Sequence, residues 1–165
     1  MQPLLEGLPP IVSDGARILI LGNMPSVMSL AEAQYYANPR NAFWRITGEI
    51  FGFDPCAPYP QRTAALCASG VAVWDVLRLC RRHGSLDSAI ERDSMVANDF
   101  GAFFDAHPSI DRVFFNGAAA ETNFTRPAAI ERPLRYRRLP STSPAQTMRY
   151  EDKLRAWRDA IVDAG

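Results

Sequence analysis

The sequence is poor in the residues that build metal and redox centres. Among its 165 residues are three cysteines, Cys56, Cys67 and Cys80, and two histidines, His83 and His107. An odd cysteine count without a CxxC pair excludes a disulfide framework and an iron–sulfur or zinc clip, and it suits a reducing cytoplasm. Two histidines cannot form an HExxH or multi-histidine centre, so neither a metal nor a cofactor is expected. They are expected on the surface or in loops, with His107-Pro108 ending a helix. A single lysine, Lys153, leaves one candidate for Schiff-base chemistry. No apolar run reaches the roughly 18 residues of a membrane span. The opening stretch, MQPLLEGLPPIVSDG, lacks the basic head and apolar middle of a signal peptide. No GxGxxG and no GxxxxGK[ST] follows an apolar run, which disfavours dinucleotide and nucleoside-triphosphate loops.

What is present describes one α/β domain over 1–165, with 1–16 as an N-terminal extension or packing arm. Hydrophobic residues make up 47 % and charged residues 22 %, enough apolar material for a core without covalent staples. Apolar, β-branched runs at 17–21, 71–74 and 113–115 read as buried strands, and the more polar 134–139 reads as a strand nearer an edge. Helical spacing marks 41–51, 60–69, 98–106, 117–124 and 146–162, with a long loop at 23–40. Strand and helix alternate, so the expected fold is a three-layer α/β/α sandwich around a central, mainly parallel four-stranded sheet.

Charge is balanced overall, at eighteen basic and eighteen acidic groups. It is unevenly spread: positions 126–158 hold nine basic residues against three acidic ones. That asymmetry suits a polyanion-facing surface on an acidic body, or a salt-bridged helix beside an arginine-rich loop.

In open α/β sheets, ligands sit beyond the carboxyl ends of the strands. Those ends carry Gly22-Asn23-Met24-Pro25-Ser26, Trp74-Asp75, Asn116-Gly117 and Leu139-Pro140-Ser141-Thr142-Ser143-Pro144. The set offers amides, hydroxyls and one carboxylate, chemistry for a neutral heterocycle or a phosphate. The segment 22–26 followed by Gln34-Tyr35-Tyr36-Ala37-Asn38-Pro39-Arg40-Asn41-Ala42-Phe43-Trp44 resembles the first motif of the uracil-DNA glycosylase superfamily. Residues 70–75 resemble its base-reading strand, and 139–145 its DNA-wedging loop. The resemblance spans about 17–163 and is nearest to the hypoxanthine-DNA glycosylase branch. The asparagine of the mismatch-specific branch is replaced by Met24, and the histidine of the uracil enzymes by Leu139. The hypoxanthine branch is similar in lacking both and uses an asparagine in the second half of the first motif, which implies Asn41.

The resemblance thus implies a monofunctional glycosylase that flips and hydrolytically excises deaminated bases, chiefly hypoxanthine, with xanthine or uracil as lesser substrates. Asn41 would orient the water, with Asn23 in reserve; the alternative is that Asn41 caps the helix after it. Tyr36 would stack on the base, or simply pack on Trp44. Gly22 and Met24 would line the base site. Asp75 would accept from the ring N–H that deamination creates, or cap a helix starting at Val76, or both. Ser143-Pro144 has the form of a helix start, where the Ser141, Thr142 and Ser143 hydroxyls would hold a phosphate. Arg137 and Arg138 would add sequence-independent attraction to DNA. The expected partner is DNA containing deaminated bases, with no membrane and a monomeric chain. Two other classes remain: a non-catalytic nucleic-acid-binding module, and a nucleoside or nucleotide N-glycosidic hydrolase.

Overall fold

A computed structural model describes residues 2–163. The order of elements is β1 (Leu4–Glu6), β2 (Ile18–Gly22), α1 (Val27–Glu32), α2 (Phe43–Phe51), α3 (Tyr59–Ala68), β3 (Val71–Asp75), β4 (Leu77–Arg81), β5 (Val96–Ala97), α4 (Phe100–Ala106), β6 (Arg112–Asn116), α5 (Ala118–Asn123), β7 (Arg135–Leu139) and α6 (Tyr150–Asp163). Four strands form a parallel sheet in the order β3-β2-β6-β7. The two inner strands are apolar on both faces because helices cover both. Alternation along β2 sends Leu19 and Leu21 into one core with Phe100, Phe103 and Phe104 of α4. Ile18 and Ile20 enter the other, with Phe43 and Ile46 of α2, Leu66 of α3 and Trp157 of α6. The three-layer expectation therefore holds.

The structure adds a second sheet, antiparallel, in the order β1-β4-β5. It corrects the reading of Asp75 as a helix cap. Residues 77–81 are β4, not a helix, and the Val76 and Leu77 amides donate to the Gly22 and Asn23 carbonyls at 2.8 and 3.0 Å. The 23–40 loop contains α1, capped by Ser26. The last helix begins at Tyr150, so Ser143-Pro144 does not open it; a turn closed by Gln146 N–H to the Ser143 carbonyl stands there instead. His107 ends α4, with its ring against Phe103, and His83 is exposed. The N-terminal arm packs on the body: Leu4–Glu6 pair with β4, and Ile11 bridges Val73. Residues 1, 164 and 165 of the expected domain lie outside the described residues. Among the described residues no helix is long and apolar enough to cross a membrane.

From β2 the chain crosses to β3 on one side, whereas β6 lies on the other side of β2 and leads on to β7. The loops leaving Gly22 and Asn116 therefore part in opposite directions. That divergence opens a crevice at the carboxyl end of the sheet.

Candidate active site

The crevice is a cavity of about 270 Å³, just below the usual 300–1,000 Å³ of sites for drug-sized ligands. Its wall includes Gly22, Asn23, Met24, Tyr36, Asn41 and Asp75, and the loop 141–145 closes one side. Arg137 and Arg138 are not part of it. They are neighbours on the exposed edge strand β7, so their side chains leave opposite faces of the sheet. Arg138 reaches Glu121 at 3.7 Å.

Gly22 is the floor. It lies opposite Asp75 in the β2–β3 register, and a Cβ there would collide with Asp75 Oδ1 and come within 2.9 Å of Tyr36 Oη. Only a residue without a side chain permits this approach. Asp75 is 4 % exposed, and its Oδ2 has no hydrogen-bond partner among the described residues. Burial pushes its pKa up to about 7; repulsion from Asp87 adds to this and Arg82 opposes it. Asp75 thus brings to the crevice wall a carboxylate with one buried, unsatisfied oxygen, an arrangement that costs free energy unless a partner completes it.

Tyr36 holds a left-handed backbone (φ +53°), uncommon for a side chain of this size. Its ring stacks on Phe43, not on Trp44, with centroids 4.1 Å apart and 18° between planes. Its hydroxyl accepts from Asn116 Nδ2 at 3.1 Å, and burial, then Asp75, hold that hydroxyl well above its ordinary pKa. Trp44 instead donates to the Tyr35 carbonyl at 2.9 Å.

The two candidate asparagines differ in what their amides have left to offer. Asn23 is buried, its Nδ2 donating to Asp87 at 3.0 Å and its Oδ1 accepting from Asn123 at 2.9 Å. It ties the end of β2 to two distant segments. Asn41 accepts the Phe43 N–H at 2.9 Å through Oδ1, while Ala42 stands at the cap position of α2 and supplies no side-chain bond. Asn41 is therefore not the N-cap of α2; it precedes the cap, and its oxygen takes the first helical N–H. A carbonyl oxygen has two lone pairs, so one remains on Asn41 Oδ1.

Asn116 and Arg82, for which the sequence suggested no role, help to hold this wall together. Asn116 donates to Tyr36 Oη and to Thr142 Oγ1 and accepts the Thr142 N–H at 2.9 Å. Thr142 is buried, and its carbonyl accepts from Ala42 N–H at 3.0 Å, which joins the loop to the segment carrying Asn41. Ser141 Oγ and Ser143 Oγ accept the N–H groups of Ser143 and Ala145. Arg82, also buried, donates to the Pro25 carbonyl at 2.6 Å and braces the lip of the crevice. Met24 turns into the apolar core beside the crevice. The loop 141–145 carries no large apolar side chain; across the mouth, Leu86 is 57 % exposed. Among the described residues no group of three or more His, Cys, Asp or Glu side chains could hold a metal ion.

The sequence pattern of the Uracil DNA glycosylase superfamily matches residues 9–164. A protein of Methanosarcina barkeri named "Hypoxanthine DNA glycosylase" is 36 % identical over 113 residues, 68 % of this chain and 70 % of its own length. A protein of the same name from Methanosarcina acetivorans is 35 % identical over 116 residues, 70 % and 72 % of the two chains. The solution NMR structure of a proposed uracil DNA glycosylase from Methanosarcina acetivorans superposes with a TM-score of 0.77 and 28 % identity, covering 94 % of this chain and 95 % of that one. A pattern matched over nearly the whole length, on a fold whose crevice collects the first-motif residues, leaves one assignment: the chain belongs to the uracil DNA glycosylase superfamily.

Proposed function

We propose that this glycosylase removes deaminated bases from DNA, chiefly hypoxanthine, by hydrolysis without cutting the strand. The carrying observation is the convergence of Asp75, Tyr36 and Asn41 on one cavity of about 270 Å³, large enough to admit a single base. A flipped base enters the crevice. Phe43 backs one face of Tyr36 and leaves the other for stacking, a contact worth about 1–3 kcal/mol per base. Ionised Asp75 accepts from the ring N–H of hypoxanthine, a donor that adenine and cytosine lack at that position. This bond gives the carboxylate a donor on its crevice side, while Oδ2 stays buried. As the base–sugar bond lengthens, positive charge builds on the sugar. Asn41 Oδ1 holds the attacking water; the bond to Phe43 fixes the amide, so no reorientation is needed at the moment of reaction. The name shared by the two Methanosarcina relatives supports hypoxanthine as the main substrate.

Leu86 is proposed as the side chain that fills the gap left in the duplex, because the loop opposite offers only small residues. The protein is proposed to act as a cytoplasmic monomer, in keeping with its three free cysteines. The deciding experiment incubates the protein with an inosine-containing oligonucleotide and, separately, with free inosine. Release of hypoxanthine from the oligonucleotide alone, leaving an unbroken abasic strand, is the expected result. Turnover of free inosine would make it a nucleoside hydrolase, and binding without release a non-catalytic module.

A further inference from the structure

Lys153 stands on α6 among charged sequence neighbours, Glu151, Asp152 and Arg155. It is 4 % exposed. Its ammonium donates to the Ser143 carbonyl at 3.1 Å and to the Gln146 carbonyl at 2.7 Å, and burial alone lowers its pKa. A buried cation is costly unless opposite charge or a full set of hydrogen bonds compensates it. Lys153 has no ion-pair partner among the described residues, and one of its three N–H donors is unassigned. It lines a second cavity, of about 350 Å³, which shares Asn41, Thr142 and Pro144 with the base crevice. Among the described residues, the wall of this second cavity also holds Arg40 and Arg45 and contains no carboxylate. Arg45 lies over the Tyr150 ring at 3.7 Å. Glu49 stands outside the wall and faces Arg158 at 3.9 Å. The base crevice, by contrast, is lined among the described residues by Asp75 and Asp87 and by no cation.

We propose that the cavity formed by Arg40, Arg45 and Lys153 is a phosphate site, taking the backbone phosphodiester next to the nucleotide whose base occupies the crevice. This inference rests on the glycosylase reading above. With the base on one side of the Asn41–Thr142 wall, the strand leaves over that wall, and the cavity beyond it is where an anion meets three cations. The phosphate supplies the counter-charge that Lys153 lacks, and Arg40 and Arg45 grip it from the exposed rim. Lys153 thereby serves twice, as the latch of the loop 143–146 and as one donor to the phosphate.

The test is an anisotropy titration of the full chain against duplexes carrying 2′-fluoro-deoxyinosine, whose sugar resists cleavage. One duplex is unmodified; two others replace the linkage 5′ or 3′ to the inosine by an uncharged methylphosphonate. In the wild type, neutralising one of these linkages should weaken binding about tenfold, and Arg40→Ala/Arg45→Ala should weaken binding to the unmodified duplex by a similar factor. Combining the two should weaken it no further, and the salt slope should fall by about 1 in either case. Losses that multiply at both linkages, or unchanged binding by the double variant, would overturn the proposal. Both arginines are exposed and leave the Lys153 latch intact, so misfolding does not confuse the result. Phosphorus NMR with inorganic phosphate distinguishes the source. Phosphate binding lost in the double variant without coupling to either linkage would make this a free-phosphate site and refute the DNA assignment. If the coupling holds while the wild type releases no hypoxanthine from ordinary inosine DNA, the excision reading fails and the phosphate site stands.

Discussion

Two cavities lie on either side of one wall, and their chemistry is opposite. The base crevice is built from amides, hydroxyls and two carboxylates, Asp75 and Asp87; its neighbour is built from Arg40, Arg45 and Lys153. The first suits an uncharged heterocycle that must be told from its neighbours by one donor. The second suits an anion that every nucleotide carries. Selectivity and affinity are thus assigned to separate volumes, with Asn41 and Thr142 between them. Variants on one side should change which base is removed or how fast, and variants on the other should change binding to any DNA.

The largest effect is expected at the wall. Asn41→Ala should lower single-turnover release of hypoxanthine about 10²-fold or more, equivalent to about 3 kcal/mol of barrier. Losing the bond to Phe43 should cost only about 1 kcal/mol of stability, so the variant remains folded and still binds inosine DNA. If Asn23→Ala collapses the rate and Asn41→Ala does not, the water belongs to Asn23. Asn23→Ala should instead show mainly a stability loss, because it breaks the ties to Asp87 and Asn123.

On the base side, Asp75 makes the comparison sensitive to pH. Its carboxyl titrates near 7 when folded against an ordinary 3.8. The carboxylate is the acceptor, so hypoxanthine release by the wild type should fall as pH drops through about 7, and Asp75→Asn should lack that inflection. Stability runs the other way. A pKa raised by folding means the native state holds the proton longer, so stability is lost as pH rises from about 4 towards 7. Asp75→Asn should therefore melt above the wild type at pH 8, with the difference closing at pH 4. A midpoint gap that does not depend on pH would show that the buried carboxyl keeps an ordinary pKa.

Two smaller effects sharpen the contrast. Borohydride trapping on inosine DNA should give no adduct, because Lys153 Nζ is held by two carbonyls in the neighbouring cavity and is not part of the base crevice. A strong adduct that disappears in Lys153→Met would move the amine into the chemistry. Arg137→Ala/Arg138→Ala should lower the salt slope of binding less than Arg40→Ala/Arg45→Ala, since the β7 pair faces two directions. The reverse order would route the DNA along the sheet edge.

The parallel sheet was legible because β2 and β3 carry unbroken apolar runs within Ile18–Gly22 and Val71–Asp75. The antiparallel sheet was not. β1 and β5 have three and two residues, and β4 mixes Arg78 and Arg81 with Leu77, Leu79 and Cys80, so no period stands out. Ser143-Pro144 looked like a helix start because the local signature is shared by turns; the contact that decides between them comes from Lys153, ten residues on. Of the site, the motif segments could be read in order along the chain. The partners of Asn116 could not, since Tyr36 lies 80 residues from it and Thr142 lies 26. Lys153 misled for a related reason: its charged neighbours on α6 suggested an exposed face, whereas the loop it latches packs over it.

The bridge between Ile11 and Val73 has a consequence for how this molecule behaves in a crowd. An open sheet offers two unpaired margins, and each is a template on which a second chain could add a strand. Here the N-terminal arm occupies part of the β3 margin with two backbone bonds of 2.8 and 2.9 Å. The other margin, β7, carries Arg135, Arg137 and Arg138 in five residues, long charged side chains that disfavour pairing with a second copy. The two devices are independent. Cutting the arm before Val12 would uncover the β3 margin, and β4 with it because β1 is lost, while leaving β7 guarded. The trimmed chain would be prone to pair through those two strands.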